Sequence, residues 1–102
     1  MAATPESLVK KAIKKLLVSA KAYYAMPMGS GYGSTGVPDF LVCCNGRFIG
    51  IEAKAGKGKP TALQLSNLRQ IVDAGGVALV VNESNINELE EILVWIAAKK
   101  ET

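Results

Sequence analysis

The sequence contains no histidine. That removes imidazole both as a general base near neutral pH and as the commonest nitrogen ligand of metals. Cysteine is scarce, and its two copies are adjacent, Cys43-Cys44. Neighbours on a strand point to opposite faces, so the pair is poorly placed to bridge itself. The spacing does not match a zinc site either, and both are expected as buried, reduced thiols. No apolar run approaches the roughly 20 residues that cross a bilayer, and no signal-peptide pattern opens the chain. A cytoplasmic protein with no membrane partner is expected.

What is present describes an ordinary folded chain. Of 102 residues, 49% are hydrophobic and 21% charged, far from the disordered class. The length predicts a single domain spanning 1–102, small enough to gain from pairing with a second copy. Twelve basic against nine acidic residues give a net charge of +3, which permits a nucleic-acid partner without requiring one. The lysines gather in the first helical segment and in one loop.

Thr4-Pro5-Glu6 carries the marks of a helix start, with an N-cap, a proline at the first position and an acid in the first turn. The helix should run to about Ala22, burying Val9, Ile13, Leu16, Leu17 and Ala20. Lys10 and Lys14 lie off that stripe, either as solvated face or as a phosphate-contacting ridge. Tyr23 to Met28 reads as a strand. The segment after it contains Gly31-x-Gly33-x-x-Gly36, which matches the dinucleotide fingerprint in letters. That fingerprint must open a helix, and here it runs into Val-Pro-Asp and a strand, so no nucleotide cofactor is expected. A loop presenting Tyr32 to a base or sugar fits better.

The organising stretch is Val37 to Lys54. Two strand-forming runs flank Asn45-Gly46, the pair best suited to a two-residue turn with positive φ. That turn sets Cys44 opposite Arg47, Val42 opposite Ile49, Phe40 opposite Ile51 and, by extension, Asp39 opposite Glu52. Facing side chains have Cβ atoms roughly 5 Å apart. Two carboxylates at ~5 Å repel by about 3 kcal/mol at an effective dielectric of ~20. A hard divalent cation such as Mg²⁺ or Mn²⁺ turns that repulsion into coordination. Lys54 falls two residues beyond Glu52, on the same face. Two acids and an amine on one surface are parts for metal-assisted attack on a phosphodiester.

Beyond the hairpin, Ala55 to Pro60 is a loop whose Lys57 and Lys59 can reach a phosphate backbone. Thr61-Ala-Leu-Gln64 has the form of a capping box. The helix after it runs to about Ala74 with Leu63, Leu68, Ile71 and Val72 on its apolar side. Gly75-Gly76 stops it, and Val77–Val81 forms a strand covered on both faces and parallel to the hairpin's second strand. A last helix spans about Ile86 to Lys99. The expected fold class is α/β, a small mixed sheet flanked by helices in the order αβββαβα.

Pro38-Asp39, twelve intervening residues, then Glu52-Ala-Lys54, set within Gly36-Val-Pro-Asp39 and Ile51-Glu-Ala-Lys54 and with Gln64 in the next helix, resembles the PD-(D/E)XK nuclease superfamily. Within it the chain looks most like the virus-type replication-repair nuclease (VRR-NUC) family, in its stand-alone phage form, from about Glu6 to Trp95. The resemblance implies Asp39 and Glu52 as metal ligands with the backbone carbonyl of Ala53. It implies Lys54 as the residue that orients or deprotonates the attacking water, Gln64 as its support, and Glu6 as a first-helix acid near the metal. It implies a Mg²⁺- or Mn²⁺-dependent endonuclease for branched DNA, a Holliday junction resolvase acting as a homodimer in the host cytoplasm. Two rival readings are a non-catalytic DNA-binding module on the same fold and a dimerisation domain whose two acids share a proton.

Overall fold

In a computed structural model, which describes residues 4–28 and 36–98, helix α1 (Pro5–Ser19) starts as its residues dictate. Thr4 is extended, its hydroxyl accepts the Ser7 N–H at 3.1 Å, and Pro5 sits where an N–H has no helical partner anyway. Val9, Ile13 and Leu17 are buried at helical spacing, with Leu16 and Ala20 packed beside them. The helix ends at Ser19 rather than near Ala22. Lys21 takes φ 57°, the Lys21 N–H bonds to Val18 O, and the Ala22 N–H bonds to Leu17 O, both at 3.0 Å. This is the left-handed closure that glycine usually makes. No glycine marks it here, so the stop is silent in the sequence.

Four strands follow: β1 (Tyr23–Ala25), β2 (Phe40–Cys44), β3 (Arg47–Ala53) and β4 (Val77–Val81). They lie side by side in that order, antiparallel except for β4, which runs parallel to β3. Helix α2 (Ala62–Asp73) makes the crossover, and α3 (Ile86–Ala98) closes the described chain. Among the described residues the architecture is α/β, a small mixed sheet with three helices. Asn45 and Gly46 have φ of 52° and 81°, and the β2–β3 register from Phe40↔Ile51 to Cys44↔Arg47 is the one their turn imposes. The Asn45 amide also donates to Ile96 O at 2.9 Å, tying the turn to the far end of α3.

Alternation divides the sheet. Phe40, Val42, Cys44, Ile49, Ile51 and Ala53 face the core made with α1 and α3, where Leu89, Leu93 and Ile96 are buried. Each fully buried aliphatic or aromatic side chain contributes about 1.5–3 kcal/mol. Helix α2 lies on the other face. A Cβ at Gly50 would collide with Ile71 Cδ1, so the glycine is what lets α2 come down on β3. Glu52 and Lys54 follow Gly50 on this side by alternation.

Several expectations change. α2 buries Leu68 and half-buries Ile71, while Leu63 and Val72 are exposed, because only one row of the helix meets the sheet. β4 is mostly half-buried rather than covered on both faces, since it forms a sheet edge. β1 stops at Ala25, two residues before Pro27, which has no N–H to give a ladder. Cys44 is buried, but Cys43 is exposed, beside Tyr23 and Phe48 on neighbouring strands. The α2 side is covered over β3 and β4, leaving that corner open. No helix is long and apolar enough to cross a membrane among the described residues.

Candidate active site

The hairpin ladder ends at Phe40↔Ile51. Asp39 therefore stands just outside it, in a bend held by buried Pro38, not as a laddered partner of Glu52. With β2 departing, the Ala53 N–H turns to a side chain, and Asp39 Oδ2 accepts it at 2.9 Å. The acid is thus pinned across the end of β3, within reach of Glu52. The Ala53 backbone enters this cluster through its N–H.

Glu52 is 2% exposed, the only charged residue buried so deeply among the described residues. Lys54 Nζ lies 3.4 Å from its Oε2, while Oε1 is buried without a hydrogen-bond partner. The Glu52 carboxyl is pushed up to about 7. Burial is the main cause, the charge of Asp39 adds to it, and Lys54 pulls the other way. Asp39 also accepts a hydrogen bond from the protonated form, so the two carboxyls are close enough to share a proton.

On the opposite flank, Lys10 Nζ sits 3.5 Å from Glu6 Oε2 and 3.6 Å from Asp39 Oδ1. Helix α1 therefore brings Glu6 to the cluster only through Lys10. No group of three or more acid or thiol side chains placed to hold a metal occurs among the described residues. The acidic set is the pair Asp39 and Glu52. Lys10, read from the sequence as either solvated face or phosphate contact, is half-buried beside two acids. The i,i+4 spacing of Glu6 and Lys10 was the available signal for half of that arrangement.

Gln64 completes the capping box: its Oε1 accepts the Thr61 N–H at 2.8 Å, and its own N–H bonds to Thr61 Oγ1 at 3.2 Å. Its amide oxygen is thereby committed to the helix start, and among the described residues no hydrogen bond joins it to Lys54. Lys57 and Lys59 are exposed on the loop after β3, which is fastened by the Gly56 N–H to Glu83 Oε1 at 2.7 Å. Glu83 had no role in the sequence reading, because only the fold brings β4's end beside this loop. Lys14 is exposed one turn beyond Lys10. Tyr32 lies outside the described residues.

No protein-family model and no curated protein matches the chain.

The chemistry of the donors is a test in itself. Two carboxyls in contact, one buried with an oxygen lacking any donor, make a poor structural element and a good hard-cation site. Asp39 and Glu52 fit a divalent ion. Lys54, anchored on Glu52 yet only partly buried, leaves an ammonium at its rim.

Proposed function

We propose that this chain is a Mg²⁺- or Mn²⁺-dependent endonuclease for branched DNA, built on a PD-(D/E)XK core of the VRR-NUC kind and working as a homodimer. One observation carries the reading: the Asp39 and Glu52 carboxyls meet at the end of the hairpin with Lys54 on Glu52 and Glu52 Oε1 unpartnered.

Asp39 and Glu52, with the Ala53 carbonyl as the resemblance implies, would hold the ion. A divalent cation there supplies Lewis-acid charge beside a phosphodiester and lowers the pKa of a neighbouring water. The Ala53 N–H fixes the Asp39 carboxylate, so one acid is oriented before substrate arrives. Lys54 offers an ammonium to orient the attacking water and to offset negative charge as that oxygen bonds to phosphorus and one ester oxygen leaves. Lys57, Lys59 and Lys14 are exposed cations for the phosphate backbone. A four-way junction has two-fold symmetry, which suits two sites presented by a two-fold dimer.

The test is incubation of labelled four-way junction, flap, duplex and single strand with Mg²⁺ or Mn²⁺. Wild-type protein should cut branched substrates. Asp39→Ala, Glu52→Ala and Lys54→Ala should each lose cleavage by at least about a hundredfold while still binding DNA. Metal-dependent cutting by Asp39→Ala at the wild-type rate, in a nuclease-free preparation, would defeat the assignment.

The carboxyl contact also favours a second reading, a proton-sharing pair with no metal. Calorimetric titration with Mn²⁺ separates the two, since the pair reading gives no heat of binding.

A further inference from the structure

Asp39 has two oxygens with different commitments. Oδ2 is held by the Ala53 N–H at 2.9 Å, which leaves Oδ1 as its less committed oxygen. The Lys10 ammonium occupies that oxygen at 3.6 Å. Lys10 is also within 3.5 Å of Glu6 Oε2, one helical turn back on the same face of α1. The Lys10 side chain is 31% exposed, Asp39 23% and Glu6 43%, so the ammonium spans from the sheltered acid to the more open one.

We propose that Lys10 is a built-in counter-ion that competes with the divalent cation for Asp39, and that Glu6 is its alternative resting place once the cation binds. This inference rests on the metal-site reading above. With no ion present, Asp39 and Glu52 are each matched by one lysine, Lys10 and Lys54 respectively. The matching keeps a tight acid pair tolerable in the metal-free chain. The two lysines are not equivalent. Lys54 comes from the strand that carries Glu52, whereas Lys10 comes from another element and already has a second acid beside it. Its release from Asp39 breaks one ion pair and leaves another in place. Lys10 is thus a positioning residue that sets how much free cation the site needs.

The experiment is calorimetric titration of Mn²⁺ into wild type, Asp39→Ala, Lys10→Met, Lys10→Gln, Lys10→Arg and the charge control Lys11→Met, an exposed neighbour on the same helix. Circular dichroism confirms that each variant is folded. Lys10→Met and Lys10→Gln should bind Mn²⁺ about tenfold more tightly than wild type, while Lys10→Arg and Lys11→Met stay within about twofold. A purely structural lysine would leave affinity unchanged or weaken it on removal. Unchanged or weaker binding in both Lys10→Met and Lys10→Gln, with Asp39→Ala still abolishing binding, overturns the counter-ion role and leaves the metal site standing. No Mn²⁺ binding by any protein, wild type included, overturns both.

Discussion

At the scale of single residues, Glu52 governs how this chain responds to pH. Its carboxyl titrates near 7 in the folded state, against 4.5 when unperturbed. Between those values the folded chain holds a proton that the unfolded chain has lost, so unfolding free energy falls as pH rises. The contribution is fully present below about pH 4.5 and gone above about pH 7, at most about 3 kcal/mol. In chelator, urea denaturation of wild type should therefore show a loss of stability across this window. Glu52→Gln, which keeps the shape and removes the charge, should flatten it and be the more stable protein at pH 8. A wild-type profile that rises through the same window would contradict the burial of an ionisable Glu52.

Elements meet at two contacts, one at each end of the hairpin, that set where its residues lie. Gly36 has φ 84°, and a Cβ there would stand 2.7 Å from both the backbone carbon and oxygen of Leu63. The segment entering β2 is thus pressed against the first turn of α2, just ahead of Pro38 and Asp39. Gly36→Ala should cost about 1–3 kcal/mol by denaturant titration, because strain and a backbone clash coincide. It should also lower cleavage, since Asp39 follows within three residues of the displaced point. Asn45 works at the other end of the hairpin, combining a positive φ with its bond to Ile96 O. Asn45→Ala should lose about 1–2 kcal/mol, visible as a lower midpoint with little change in slope.

Across the whole molecule, the exposed cations Lys14, Lys57 and Lys59 are spread over α1 and the loop after β3. Junction affinity should fall linearly with the logarithm of salt concentration. Lys57→Ala with Lys59→Ala should reduce the magnitude of that slope by about 2, one for each phosphate contact removed. Binding isotherms between low and moderate salt would check it, and an unchanged slope would place the DNA elsewhere. On the proposed nuclease reading, sedimentation at micromolar concentration should find a homodimer.

Much of this was legible in local residues. Asn45-Gly46 determined the hairpin and its register, because this pair readily takes positive φ at both central positions of a two-residue turn. Thr4-Pro5 and Thr61 to Gln64 determined two helix starts, because each supplies its own cap. Apolar spacing determined which side of α1 is buried. The sequence also placed Asp39, Glu52 and Lys54 near one another, since a fixed register leaves little freedom beyond the ladder's end. Only tertiary packing decided that Asp39 bonds to the Ala53 N–H, that Lys10 joins the acids, that Cys43 is open to solvent and that α2 leaves Leu63 and Val72 exposed. Those outcomes depend on which elements touch, and contacts between residues far apart in the chain leave no period or spacing to read.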